Sequence, residues 1–316
     1  MKVSELREII KKYNEEDKEK IIVELYKRIP KRTKEYYNID NYIMNLNVKV
    51  EKSDKEFTIE RLEKEVNYFV ECANSDLYVS PNKIISKSER SKWRFKVKNF
   101  YKKLNSFLPT TEDGKKATDL LKDLFIILSF GTHYLTFSSW HTFGAIQISQ
   151  SEFLMNIVQR KLANGITDDN LSYCIELLNV KYDPQEYHKS ILLSFESCLK
   201  TADARYMAIE LLKKQVLLWK EKYRQKDSYE NETYVNYFVE CIIDIYIELC
   251  EVKNGISYFH KQYINRDKEI KEYILLEKLE EYGLYKEWIL EYEKHLEKID
   301  YRNELKEKYK EYKKRQ

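Results

Sequence analysis

Five histidines, His133, His141, His188, His260 and His295, are the side chains of this chain best suited to proton transfer or metal binding. Imidazole titrates near neutral pH and is the commonest metal ligand. None of the five stands at a metal-ligand spacing from another histidine or from a cysteine, and there is no HExxH and no Cys–His cluster. Spacing therefore assigns no metal ligand. Ser138, Ser139 and His141 lie together around Trp140, but the GxSxG elbow that exposes a nucleophilic serine is absent. Neighbours in sequence do not establish a nucleophile–base contact, which is spatial. No P-loop and no GxGxxG occurs, which excludes nucleotide binding by those routes, and no cofactor is expected. Asp168 and Asp169 follow Thr167 and read as acids in a first helical turn, not as a paired-carboxylate site. No catalytic residue is assigned. The loop Thr132–Gly144 is the one place for an enzyme site, with His133, Tyr134, Trp140 and His141 as candidate pocket residues; the competing reading makes this loop core packing.

A second constellation is electrostatic. Between Lys83 and Lys103 stand nine basic residues against one acidic residue, Glu89. On a helix over Glu89–Leu108, Trp93, Val97, Phe100 and Leu104 form an apolar stripe. Arg90, Arg94, Lys98 and Lys102, four apart, form a neighbouring basic stripe. Such a stripe suits regularly spaced phosphates, an acidic protein or an anionic membrane face. It is also what a solvated helix face looks like.

Composition limits the partners. The chain has 316 residues with 56 basic and 53 acidic side chains, a net charge of +3, so any attraction to nucleic acid must come from a local patch. Six glycines and four prolines leave few strand turns and favour long helices. The 27 tyrosines, apolar rings with polar tips, suit half-buried seams between helices. Cys72, Cys174, Cys198, Cys241 and Cys250 are odd in number and form no CxxC. Met1 to Lys20 is charged throughout, unlike a signal peptide, so reduced thiols in the cytoplasm are expected. The abundance of Lys, Tyr, Ile and Asn suggests an AT-rich bacterial or phage genome.

The elements that must position these residues follow from caps and periodicity. The run Leu124–Ser151 contains no charged residue and is read as the packing centre, with Leu121, Leu124, Phe125 and Leu128 on one helical face ending near Gly131. Its apolar part is too short to span a membrane. Upstream, short helices are expected from Ser4 and from Asn14, the latter stopped by Pro30, a third over 34–45, a strand or loop over 48–57, and a helix from Thr58 to Ala73. Pro109 closes the basic helix and Thr111 caps the next. Downstream, helices are placed near 150–163, 167–179, 184–199, 202–224, 231–252, 256–264, 266–281, 284–297 and 300–314. Breaks this short force neighbours antiparallel.

Two features suggest repetition. The heptapeptide VNYFVEC occurs at Val66–Cys72 and again at Val235–Cys241. Near the C-terminus, Tyr282 to Glu297 resembles part of a tetratricopeptide repeat: Gly283, Tyr285, Tyr292 and Leu296 fall where that family places its glycine, tyrosine and large apolar residues, while Trp288 and His295 stand where it has small ones. The resemblance implies a concave surface for a partner protein. Together these features lead to an all-α fold, an N-terminal helical part over 1–108 and an irregular α-solenoid-like stack over 109–316. The expected function is a non-enzymatic cytoplasmic adaptor or regulator with a protein partner. The alternative is nucleic-acid binding through Arg90, Arg94, Lys98 and Lys102.

Overall fold

In the computed structural model, residues 3–29, 34, 39–44, 58–184, 186 and 188–315 are described, and among them there is no strand. The chain forms two compact units, 1–61 and 62–316. The basic segment and the charge-free segment thus share one unit, and the boundary falls well before residue 108.

The first unit contains α1 (Val3–Ile10), α2 (Glu15–Arg28) and α3 (Ile39–Met44). Asn14 caps α2 as its spacing predicts, its Oδ1 accepting from the Asp17 amide at 2.8 Å. Acids Glu15, Glu16 and Asp17 fill the first turn and Lys27 and Arg28 the last, matching the helix dipole at both ends. The expected strand or loop over 48–57 lies outside the described residues.

The helix α4 (Ile59–Asn74) carries the chain into the second unit. There follow α5 (Lys87–Arg90), α6 (Trp93–Leu104), α7 (Glu112–Gly131), α8 (Thr142–Ile146), α9 (Gln150–Leu162) and α10 (Asp168–Glu176), the last extended by a 3-10 turn at Leu177–Asn179. Beyond lie α11 (His188–Glu196), α12 (Ala202–Gln225), α13 (Tyr229–Glu248), α14 (Val252–Gln262), α15 (Lys268–Glu281), α16 (Tyr285–His295) and α17 (Asn303–Arg315). All nine helices expected after residue 149 are present, with ends moved by a few residues.

The charge-free run is the packing centre on one side only. Leu121, Leu124, Phe125 and Leu128 are fully buried, whereas Ile126 and Phe130 on the other face of α7 are exposed. Thr111 Oγ1 caps α7 by accepting from the Gly114 amide at 3.0 Å. Gly114 is required there: a Cβ would stand 1.8 Å from the Leu108 carbonyl oxygen. Arg160 of α9 locks the same corner, donating to Thr118, Phe107 and Gly114 oxygens at 3.1–3.2 Å. Gln150, fully buried, ties α9 to Ser129 and to the Lys181 and Asp183 backbone.

The C-terminal helices run antiparallel. Arg205 near the start of α12 meets Glu248 at the end of α13 at 2.8 Å. Asn236 near the start of α13 exchanges two hydrogen bonds, of 2.7 and 2.8 Å, with the backbone of Ile264 just past α14. Gly283, at φ +68°, turns α15 into α16, a backbone region that side chains rarely adopt. Twelve side chains of α13 are buried, spread around the whole helix. Among them Asp244 receives both hydrogen bonds of the buried Lys278 ammonium, at 2.7 and 2.8 Å. Glu196 and Glu240 stand beside that pair. Burial, reinforced by Asp244, pushes the Glu196 carboxyl up to about 8.

Candidate functional sites

The basic stripe is carried by two helices rather than one. α5 ends at Arg90 and α6 begins at Trp93. Ser91 Oγ donates to the Ser88 carbonyl at 3.0 Å, competing with continuation of the helix. Trp93 then stacks on Phe137 at 4.4 Å and donates its indole N–H to Ser138 at 3.2 Å, which fixes the new helix start. The break removes Arg90 from the row: its guanidinium turns back to the Ile85 carbonyl at 2.6 Å. Arg94, Lys98 and Lys102 remain on one face of α6. Arg94 and Lys102 are exposed, and Lys98 is half-buried and donates to Gln147 at 2.5 Å. The opposite face, Trp93, Val97, Phe100 and Leu104, is buried as its spacing predicts. Arg94 lies over the exposed ring of Phe95 at 4.9 Å. Among the described residues, no carboxylate pairs with Arg94, Lys98 or Lys102, whereas α12–α17 are laced with ion pairs such as Arg302–Glu269 at 2.6 Å and Lys308–Glu280 at 2.9 Å.

The four pocket candidates lie on the surface. Tyr134 and Trp140 are about half exposed, Tyr134 stacks on Phe130 at 4.2 Å, and His133 shares a 2.8 Å hydrogen bond with the Tyr182 carbonyl. His141 is exposed too. The loop's buried aromatic members are Phe137 and Phe143, which join Phe69, Trp93, Phe125 and Phe153 in the aromatic core; Thr132, Thr136 and Thr142 are buried beside them. The cleft next to this loop, about 320 Å³, is lined by Phe143, Gly144, Gln147, Ser149, Asp183 and Glu186 instead of the four candidates.

A constellation that spacing does not reveal lies at the other end of the unit. His260 of α14, Glu272 of α15, and Glu291 and His295 of α16 converge so that one donor atom from each lies within 4.8 Å of all the others. His260 Nε2 meets Glu291 Oε2 at 2.8 Å, and its Nδ1 meets Glu272 Oε1 at 3.4 Å. His295 Nε2 stands 3.8 Å from the same Glu272 oxygen. Burial raises the Glu272 carboxyl above its ordinary range. Burial alone would raise Glu291 as well, but hydrogen bonds from His260 and Lys294 outweigh it and hold the acid low. His295 is held low, first by burial and then by the nearby His260 and Lys294, which favours its neutral imidazole. The donors are 12, 19 and 4 residues apart, on three helices, so no local motif marks them. The one local signal is Glu291 and His295 at i and i+4, which share a helix face.

No protein-family model, curated protein or solved structure matches this chain. Among the described residues, no helix is long and apolar enough to cross a membrane.

Proposed function

We propose that this chain is a non-enzymatic helical adaptor or regulator of the cytoplasm that binds an acidic protein partner along α6. The observation that carries this reading is the row Arg94, Lys98 and Lys102 on one face of α6, which has no carboxylate partner among the described residues, in contrast to ion pairs of α12–α17 such as Arg205–Glu248, Arg302–Glu269 and Lys308–Glu280. A row of unpaired cations steers an anionic surface toward itself and fixes its register. Eight residues at 1.5 Å rise make the row about 12 Å long. That is short for a duplex, where sequence-specific proteins make roughly 6–10 phosphate contacts. A second reading, single-stranded nucleic acid, draws on the exposed Phe95 ring beside Arg94, since bases stack on aromatic faces next to a cationic groove.

The test is capture from native lysate, with and without nuclease, using the unsubstituted chain and a variant carrying Arg94→Gln, Lys98→Gln and Lys102→Gln. A protein partner that survives nuclease and is lost in the variant supports the first reading. Its association rate should fall as salt rises. Nuclease-sensitive capture, with a salt slope of about −0.7 per phosphate neutralised on a single strand, supports the second. Equal capture by both chains under all conditions removes α6 as an interaction surface. The variant should keep its fold, because surface changes usually cost within about ±0.5 kcal/mol each.

A further inference from the structure

We propose that His260, Glu272, Glu291 and His295 bind one divalent transition-metal ion of the zinc type, clamping α14, α15 and α16 together. The inference is independent of the α6 surface. Its first support is the convergence itself. One donor atom from each of the four residues lies within 4.8 Å of all the others, and His295 Nε2 stands 3.8 Å from Glu272 Oε1, near the roughly 3.3–3.4 Å between ligands of a tetrahedral ion with metal–ligand bonds of about 2.0–2.1 Å. The two ring nitrogens of His260 face different carboxylates, so one of them binds the ion and small side-chain rotations close the shell.

The second support is what the cluster lacks without an ion. Glu272 is only 4% exposed, yet its Oε2 has no hydrogen-bond partner, and neither has the buried His295 Nε2. Buried polar atoms in folded proteins are almost always satisfied. Neighbouring cations do not fill this role. Lys271 directs its ammonium to the carbonyls of His260 and Tyr263 at 2.8 and 2.9 Å. Lys294 reaches Glu291 at 3.2 Å, but its side chain is 55% exposed and free to swing into water. A dication among the four donors satisfies His295 Nε2, reaches the orphaned Glu272 Oε2 when that carboxylate binds through both oxygens, and neutralises the two carboxylates.

The donor chemistry sets the class of ion. Two imidazoles and two carboxylates suit zinc and its first-row neighbours, whereas magnesium and calcium prefer all-oxygen shells. Entry is open: a cleft of about 450 Å³, lined in part by His260, Glu291 and His295, leads from solvent to the site.

The experiment strips the full chain with a chelator, then titrates Zn²⁺ by calorimetry and Co²⁺ by visible absorbance, with excess Mg²⁺ present. The expected result is one equivalent bound, Co²⁺ ligand-field bands without a thiolate charge-transfer band, and a melting temperature that rises with Zn²⁺ concentration. The double variant His260→Gln with His295→Gln, and separately Glu272→Gln, should each weaken binding by at least about 10–100-fold. Absence of saturable binding to the unsubstituted folded chain overturns the proposal. So does a thiolate band, which would place the ion on a cysteine such as the exposed Cys250. So does unchanged affinity in the folded double variant. Should that variant misfold, the stoichiometry and band pattern of the unsubstituted chain still decide.

Discussion

Residues 66–72 and 235–241 spell the same heptapeptide, and both copies are helical, yet they live in different surroundings. The shared apolar face behaves alike in both: Val66 and Phe69 in α4, and Val235 and Phe238 in α13, are fully buried. The other faces diverge. Tyr68 is 48% exposed while its counterpart Tyr237 is 1% exposed. Asn67 faces solvent, whereas Asn236 holds the backbone of Ile264 with two hydrogen bonds. Glu71 is exposed, while burial raises the Glu240 carboxyl beside Lys278 and Asp244. An identical local sequence fixes the helix and one buried face. The packing of α11, α12 and α14 against α13 decides what the remaining residues do.

The largest effect should come from the ionic cluster behind the buried copy. Lys278→Met leaves Asp244, Glu240 and Glu196 enclosed together and should cost about 3–5 kcal/mol at pH 7 in urea unfolding. The loss should shrink at pH 5, because burial already raises the Glu240 carboxyl and removal of the Lys278 ammonium raises it further, whereas Glu196, raised to about 8, holds its proton at both pH values. A penalty equal at both pH values would break the link between the two observations.

Next, Tyr237→Ala should cost about 3–5 kcal/mol, as for other large buried rings. Tyr68→Ala, at the same place in the heptapeptide, should leave the unfolding curve nearly unchanged. Similar costs for the two would mean that the copies are not distinguished by burial. Asn236→Ala should cost about 1–3 kcal/mol, because it strands backbone groups of Ile264, while Asn67→Ala should change little.

The gentlest probe is pH. Glu196 has its folded value raised from 4.5 to about 8, so the folded state binds the extra proton between those values. Its contribution to stability is complete below about pH 4.5 and is lost as pH rises through 8. The slope is at most about 1.4 kcal/mol per pH unit. Glu196→Gln should flatten the stability profile across that window; an unaltered slope would show that another group carries it.

Helix positions were largely legible because local chemistry sets them. Asn14, Thr111 and Thr167 each cap the helix their spacing predicts, and Gly131 ends α7. The stripe Trp93–Val97–Phe100–Leu104 also follows from periodicity alone. The break at Ser91 was not legible, since it depends on Trp93 finding Phe137 and Ser138 more than forty residues away. The exposure of Tyr134 and Trp140 was hidden for a similar reason: Phe137 and Phe143 of the same loop fill the core space. The His–Glu cluster was invisible because its four donors meet only through the packing of three helices.

The enclosure of α13 has a kinetic consequence. A helix sheathed by neighbours cannot release its amide protons by fraying from one face; it opens only when α12 or α14 departs. Its amides should therefore be the slowest in the chain to exchange with deuterated solvent. Those of α4, where one of two identical heptapeptides keeps a face in water, should exchange sooner. Because α13 packs chiefly on the helices just before and after it in the chain, this slow core is assembled from contacts of short sequence separation, the kind that form early.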